Sequence, residues 1–206
     1  VNAGLKFVLY NETETGMEMF EYYYENGIVD YVKETVGDDG FTTVETWEME
    51  REGRDRADKE DYRMKMQVAF CFSNKVNMLE YYHNSSYLEH GGSPDKAVRN
   101  AFVYAIDRYL KQNDKYNKND SKITFADVAD CLALVINSFS TQTSYENQTK
   151  KAINNKFIQD AMTEFLRQQL EVYFIENKTD AEKIANQVLV NKKSRENAEK
   201  ARIDIK

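Results

Sequence analysis

The residues best suited to chemistry in this chain are Gln148, Thr149 and Lys150, followed at once by Lys151. An amide, a hydroxyl and an ammonium in consecutive positions offer the neutral and charged donors that grip phosphate oxygens. They lie where a polar stretch, Ser140–Asn147, runs into an amphipathic segment whose apolar positions begin at Ile153. The pattern predicts a helix over Lys150–Glu176 with both lysines on its first turn. A helix N-terminus carries unpaired N–H groups and partial positive charge, so lysine there costs roughly a few tenths of a kcal/mol. Local violations of this kind mark functional sites, and free N–H groups beside the three side chains would complete a phosphate receptor. The plain alternative is a pair of solvated lysines on a frayed turn.

The elements that must position this stretch follow from periodicity. Leu5–Tyr10 and Met17–Tyr24 read as a hairpin, residues 27–34 as a short helix ending before Gly37, and Thr42–Glu50 as a strand. Arg51–Asp61 is almost entirely charged and reads as an exposed connection. In Tyr62–Ser73 the residues Met64, Met66, Val68, Phe70 and Phe72 share one face, the clearest strand pattern in the chain. Gly91-Gly92-Ser93-Pro94-Asp95 predicts a helix start, with Ser93 as N-cap and Pro94 at the first helical position. Ala97, Val98, Ala101, Phe102, Ala105, Ile106, Tyr109 and Leu110 then form one helical face. Thr124 caps a short helix before the strand Leu132–Phe139. Thr179-Asp-Ala-Glu182 has the form of a capping box opening a second long helix, whose apolar face runs only to about Val190. Strands, helices, a strand and then long helices make an α+β domain with a helical C-terminal extension.

Composition narrows the function classes. The 206 residues carry a net charge of −7, which excludes a uniformly basic nucleic-acid binder. The charge is uneven: from Lys178 to Lys206 eight Lys/Arg face five Asp/Glu, a net of +3 against −10 for the rest. No run approaches the roughly 18–20 apolar residues of a membrane helix, and no secretory pattern opens the chain. No membrane partner is expected. Cys71 and Cys131 sit in apolar runs and read as buried free thiols. His83 and His90 lack companions for a metal site, and no metal is expected. The chain begins with Val1, as a piece of a longer protein would.

The order of these elements resembles the transducer domain of the ATPase (B) subunit of bacterial type IIA DNA topoisomerases, in gyrase or topoisomerase IV. The resemblance rests on Val1-Asn-Ala-Gly4, Glu25-Asn-Gly-Ile28, Phe70–Asn74, Gly91-Gly92, Asp127-Val128 within Thr124–Leu132, Gln148-Thr149-Lys150, Asn177–Ala181 and Ser194–Arg202. It covers essentially the whole chain. It implies a ribosomal protein S5 domain 2-like fold over residues 1–177, with residues 178–206 forming a basic helix that leads to the next domain. It further implies that Gln148 and Lys150 contact the γ-phosphate of ATP, with Thr149 in the same loop. ATP and Mg2+ would be held mainly by a GHKL domain absent from this chain, and no cofactor is expected in the chain by itself. On the same basis Lys192, Lys193, Arg195, Lys200 and Arg202 would face DNA. The implied partners are DNA, the topoisomerase A subunit and a second B subunit in a homodimer. The implied setting is the bacterial cytoplasm, at the nucleoid.

Departures from the family pattern are specific. Asn147 stands where many relatives have glycine, Ser93-Pro94 replaces Thr-His after the paired glycines, and Tyr81–His90 reads as an extra surface elaboration. Neither an Asp-x-Gly-x-Gly nucleotide motif nor a paired-acid cleavage site occurs. The alternatives are the second domain of a MutL-like or Hsp90-like GHKL ATPase and a non-enzymatic helical interaction module.

Overall fold

The computed structural model describes residues 27–205. They begin with helix α1 (residues 27–36) and a 3-10 turn at Gly37–Asp39. Then come strands β1 (Glu45–Gly53), β2 (Tyr62–Phe72), β3 (Met78–His83), β4 (Ser86–Tyr87) and β5 (Gly91–Gly92). Helices α2 (Ser93–Gln112) and α3 (Phe125–Ala129) precede β6 (Leu132–Ser140) and β7 (Ala152–Ile153), and α4 (Lys156–Glu176) and α5 (Lys178–Asp204) close the chain. The hairpin expected at Leu5–Tyr24 lies outside the described residues.

Five strands form one sheet in the order β1-β2-β6-β3-β4, with β3 parallel to β6 and the other pairs antiparallel. β2 and β6 lie in its middle, and side chains on both their faces are buried. Met64, Met66, Val68, Phe70 and Phe72 of β2 join Leu132, Leu134 and Ile136 of β6 in the main core beneath α2 and α4. The intervening Ala69, Cys71, Ala133 and Val135 face Ile28, Val32 and Val36 of α1. Alternation thus splits each strand between two cores, as a sheet covered on both sides requires. Phe70 is the hub of the larger one, with ring centroids of Trp47, Phe102 and Tyr173 at 4.9, 5.5 and 5.8 Å in edge-on geometry. Both cysteines are buried thiols, and burial pushes them up to about 11 for Cys71 and about 12 for Cys131.

The structure corrects several boundaries. Tyr81–His90 is a surface elaboration only in part: Ser86, Tyr87, Glu89 and His90 are exposed, but Tyr81, Tyr82 and His83 belong to β3, in register with Ile136, Asn137 and Ser138 of β6. Three adjacent residues buried or half-buried in a strand leave no period that sequence reading can use. Ser93 is not an N-cap. Gly92 holds that position, and the buried Ser93 hydroxyl donates to Ile153 O and Asn155 O at 3.3 and 2.9 Å. The capping box at Thr179 does not form, because α4 and α5 are joined through Asn177 alone. Its N–H donates to Tyr173 O and its carbonyl accepts from Ala181 N–H, so Thr179 is already helical and cannot cap. By contrast, Thr124 caps α3 as expected, and it does so in a capping box with Asp127.

α5 enters the main core through Ala181, Ile184, Ala185 and Val188. Beyond Lys192 its residues are exposed or only half-buried, the build of a rod leaving the domain. Among the described residues no helix is long and apolar enough to cross a membrane.

Candidate functional site: a braced loop tip

Lys150 does not open a helix. The expected start is corrected to Lys156, six residues later, and backbone bonding is the reason. Ala152 and Ile153 form β7, paired with Gly91 and Gly92 of β5, and Tyr145 bridges Ile153. Glu146 N–H donates to Ala152 O at 2.9 Å and Asn154 N–H to Ser144 O at 2.9 Å. Cross-strand partners therefore take this backbone before a helical turn can close. Lys150 itself has a φ of 56°, a left-handed value that no right-handed helix accommodates.

The consequence is a hairpin-like loop whose legs converge near Tyr145 and Ile153 and whose tip is Asn147–Lys150. Asn147 organises that tip. Its Oδ1 accepts from Thr149 N–H at 3.1 Å and from the Thr149 hydroxyl, and its carbonyl accepts from Lys150 N–H at 3.4 Å. Gln148, Thr149 and Lys150 are all exposed. The Lys150 ammonium lies 5.8 Å from the Tyr145 ring centroid and forms no ion pair among the described residues. The Gln148 amide and the Lys150 ammonium, unpaired among the described residues, present donors at an exposed tip that fit a terminal phosphate, while the Thr149 hydroxyl is spent on Asn147.

Below the tip both legs are tied down. Asn155 Oδ1 accepts from Ser144 N–H at 2.7 Å, while its Nδ2 donates to Asp55 and to the Tyr62 hydroxyl, each at 3.1 Å. Asp55 Oδ1 also accepts from Phe157 N–H at 2.9 Å. The α4 N-terminus is thus capped by a carboxylate from the charged connection that reads, by sequence, as merely exposed. No local signal betrays that role, because the partners are 102 residues apart.

His83 sits fully buried under the other leg. Its Nδ1 lies 2.7 Å from Ser138 Oγ, and its Nε2 lies 3.0 and 3.3 Å from Ser140 Oγ and Thr143 Oγ1. Ser138 spends its hydrogen on Tyr82 O and Ser140 its own on Gln142 O. Both serine oxygens therefore face the imidazole as acceptors, and Thr143 Oγ1 lies within reach of both Nε2 and Ser140 Oγ. Burial lowers the imidazole from 6.5 to about 4. A native pKa below the unfolded one means that stability is complete above the unfolded value and is lost as pH falls toward the native one. Between roughly pH 7 and pH 5 the chain is expected to lose about 2 kcal/mol through this residue alone. Denaturant titrations at the two pH values, compared with His83→Asn, check it; an equal pH slope in the variant would count against the assignment.

The five basic-tail residues divide. Lys192 is 4% exposed with its ammonium 3.1 Å from Glu196, and Arg195 forms paired bonds to the buried Asp127 carboxylate at 2.8 and 3.2 Å. Lys193, Lys200 and Arg202 are exposed on the rod. The tail cations are thus not brought together with Gln148–Lys150 in one site.

Fold and site together define an α+β domain that presents a cationic loop tip and leads into a long helix. The chain belongs to the DNA gyrase B family, whose profile matches residues 27–203. The DNA gyrase B protein of Mycoplasma pneumoniae is 26% identical over 209 residues, covering 98% of this chain and 32% of that protein. Its counterpart in Metamycoplasma arthritidis is 27% identical over 203 residues, with 98% and 31% covered. The chain thus spans about a third of the length of these curated relatives. Among solved structures, the 43K ATPase domain of Thermus thermophilus gyrase B in complex with an aminocoumarin superposes with a TM-score of 0.69 at 18% identity, covering 86% of this chain and 46% of that one. The topoisomerase IV ATP binding domain of Francisella tularensis gives 0.63 at 20%, with 83% and 44% covered. These two likenesses concern the fold.

Proposed function

We propose that this chain is the transducer part of the ATPase (B) subunit of an ATP-dependent type II DNA topoisomerase, with a ribosomal protein S5 domain 2-like fold. The observation that carries the reading is the exposed Lys150 ammonium, without an ion pair among the described residues, at the tip of a braced loop in a chain of the gyrase B family. Gln148 and Lys150 reach the γ-phosphate of an ATP held, with Mg2+, by a preceding GHKL domain. Thr149 keeps its place in the tip through Asn147. Phosphoryl transfer is accelerated mainly by positioning and by fixed positive charge near the transferring oxygens, which a lysine on a rigid loop supplies. Because the contact exists only while the γ-phosphate does, it biases the position of this domain relative to the nucleotide. α5 carries that bias onward toward the DNA gate formed with the A subunit, in a homodimer of B subunits. In this reading the cations that meet DNA narrow to Lys193, Lys200 and Arg202.

The test is Lys150→Ala in the full-length protein. Loss of one donor to a developing charge is expected to lower kcat for ATP hydrolysis about a hundredfold or more. ADP affinity, which involves no γ-phosphate, is expected to stay unchanged. Hydrolysis at the parent rate would refute the phosphate contact.

A further inference from the structure

The stretch Tyr81–Gly92 grips both legs of the loop that ends in Gln148–Lys150. On the outgoing leg, Asn84 Oδ1 accepts from Ser140 N–H at 3.0 Å, and Asn84 Nδ2 donates to Ser140 O at 3.2 Å and Thr143 Oγ1 at 3.0 Å. One side-chain amide thus satisfies both backbone groups of Ser140, where the sheet runs out, as a neighbouring strand would. His83 adds its contacts to Ser138, Ser140 and Thr143 from beneath. Returning along the hairpin, His90 N–H donates to Lys151 O at 2.9 Å, and Glu89 pairs with the Lys151 ammonium at 2.9 Å. Gly91 and Gly92 then carry β7 beside them. Asn84 and Ser85 turn the hairpin through φ values of 47° and 67°, which sets the Asn84 amide against Ser140.

We propose that Asn84 and His83 are positioning residues for the phosphate-contacting tip. By fixing the outgoing leg at Ser140 and Thr143, they set how far Gln148 and Lys150 reach. This role rests on the reading of the tip as the γ-phosphate contact. It also accounts for Tyr81–His90, a segment that serves as a saddle for the loop.

The experiment measures ATP hydrolysis and ADP affinity of the full-length protein for Asn84→Gly, Lys150→Ala and the double variant. Glycine accepts a φ of 47°, so Asn84→Gly removes the amide without straining the turn. Its kcat is expected to fall roughly ten- to a hundredfold, the loss that misplacement of a catalytic group by about 1 Å produces, with ADP affinity unchanged. In the Lys150→Ala background it should add nothing, because both changes act through one contact. Thr143→Val, which removes the hydroxyl between Asn84 and His83, should reproduce the loss and Thr143→Ser should restore activity; this pair decides the matter if glycine loosens the hairpin. An unimpaired Asn84→Gly beside an impaired Lys150→Ala overturns the positioning role alone, as does an equal loss in both backgrounds. A silent Lys150→Ala overturns the phosphate reading and this role with it.

Discussion

Replacing Gly92 with alanine is expected to destabilise the chain by about 3 to 5 kcal/mol, from the backbone strain and the steric overlap together. Gly92 has a φ of 80° and a ψ of −121°, a conformation open in practice to glycine alone. A Cβ there would lie 2.0 Å from the carbonyl oxygen of Ile153 and 2.8 Å from its nitrogen. Those are backbone atoms, so no side chain can rotate away, and β5 and β7 must separate. Such separation also loosens the buried Ser93 hydroxyl, which holds Ile153 O and Asn155 O. The incoming leg of the loop would then lose its support three residues after Lys150. Gly37→Ala is the matched control, since its φ of 57° is strained but nothing lies within 4 Å of the added carbon. That variant is expected to cost only about 1 to 2 kcal/mol. Denaturant titration of both variants measures the difference, and equal losses would refute the cost assigned to the close approach to Ile153.

Arg195→Met is the second large effect, with an expected cost of about 3 kcal/mol or more. The Asp127 carboxylate is fully buried and Arg195 is 26% exposed, so solvent does little to screen the pair. Losing the guanidinium would leave the carboxylate, among the described residues, with Thr124, whose N–H and hydroxyl bond Oδ2 at 2.9 and 3.3 Å. Asn191 fixes the same short helix through Asp127 O at 3.0 Å, so α3 is the seat on which α5 rests before it leaves the domain. Arg195→Lys should recover only part of the loss, because an ammonium cannot form the two-pronged contact. Lys193→Ala, Lys200→Ala and Arg202→Ala should each stay within about 0.5 kcal/mol of the parent. Hydrogen exchange along α5 in Arg195→Met would show protection lost from Asn191 onward. Unchanged protection there would refute the latch.

The two variants mark where sequence reading stops. Periodicity identified β2, α2, α3 and β6 nearly residue for residue, because apolar spacing is set by the geometry of the element itself. Even Thr124, whose partner Asp127 lies within one turn, was legible as a cap. Gly92 was legible as a glycine before a helix, but not as one pressed against Ile153. Arg195 belonged, by charge alone, with the exposed cations of the tail, and nothing near it in sequence announces Asp127, 68 residues away. The start of α4 failed for a related reason. A helical pattern of apolar residues continues through Ile153, yet β7 and the left-handed Lys150 claim that stretch for a loop.

What the sequence determined by itself is the α+β class, the two long C-terminal helices, the family resemblance and the identity of the polar tip Gln148–Lys150. These depend on residue type and on spacing within one element. Tertiary structure decided between the helix start that periodicity predicts and the loop that the resemblance implies, and it alone showed that Tyr81–His90 supports the tip and that Lys192 and Arg195 turn inward while Lys193, Lys200 and Arg202 do not. Each of these depends on which distant backbone and side-chain groups satisfy one another once buried, a condition that no local pattern encodes.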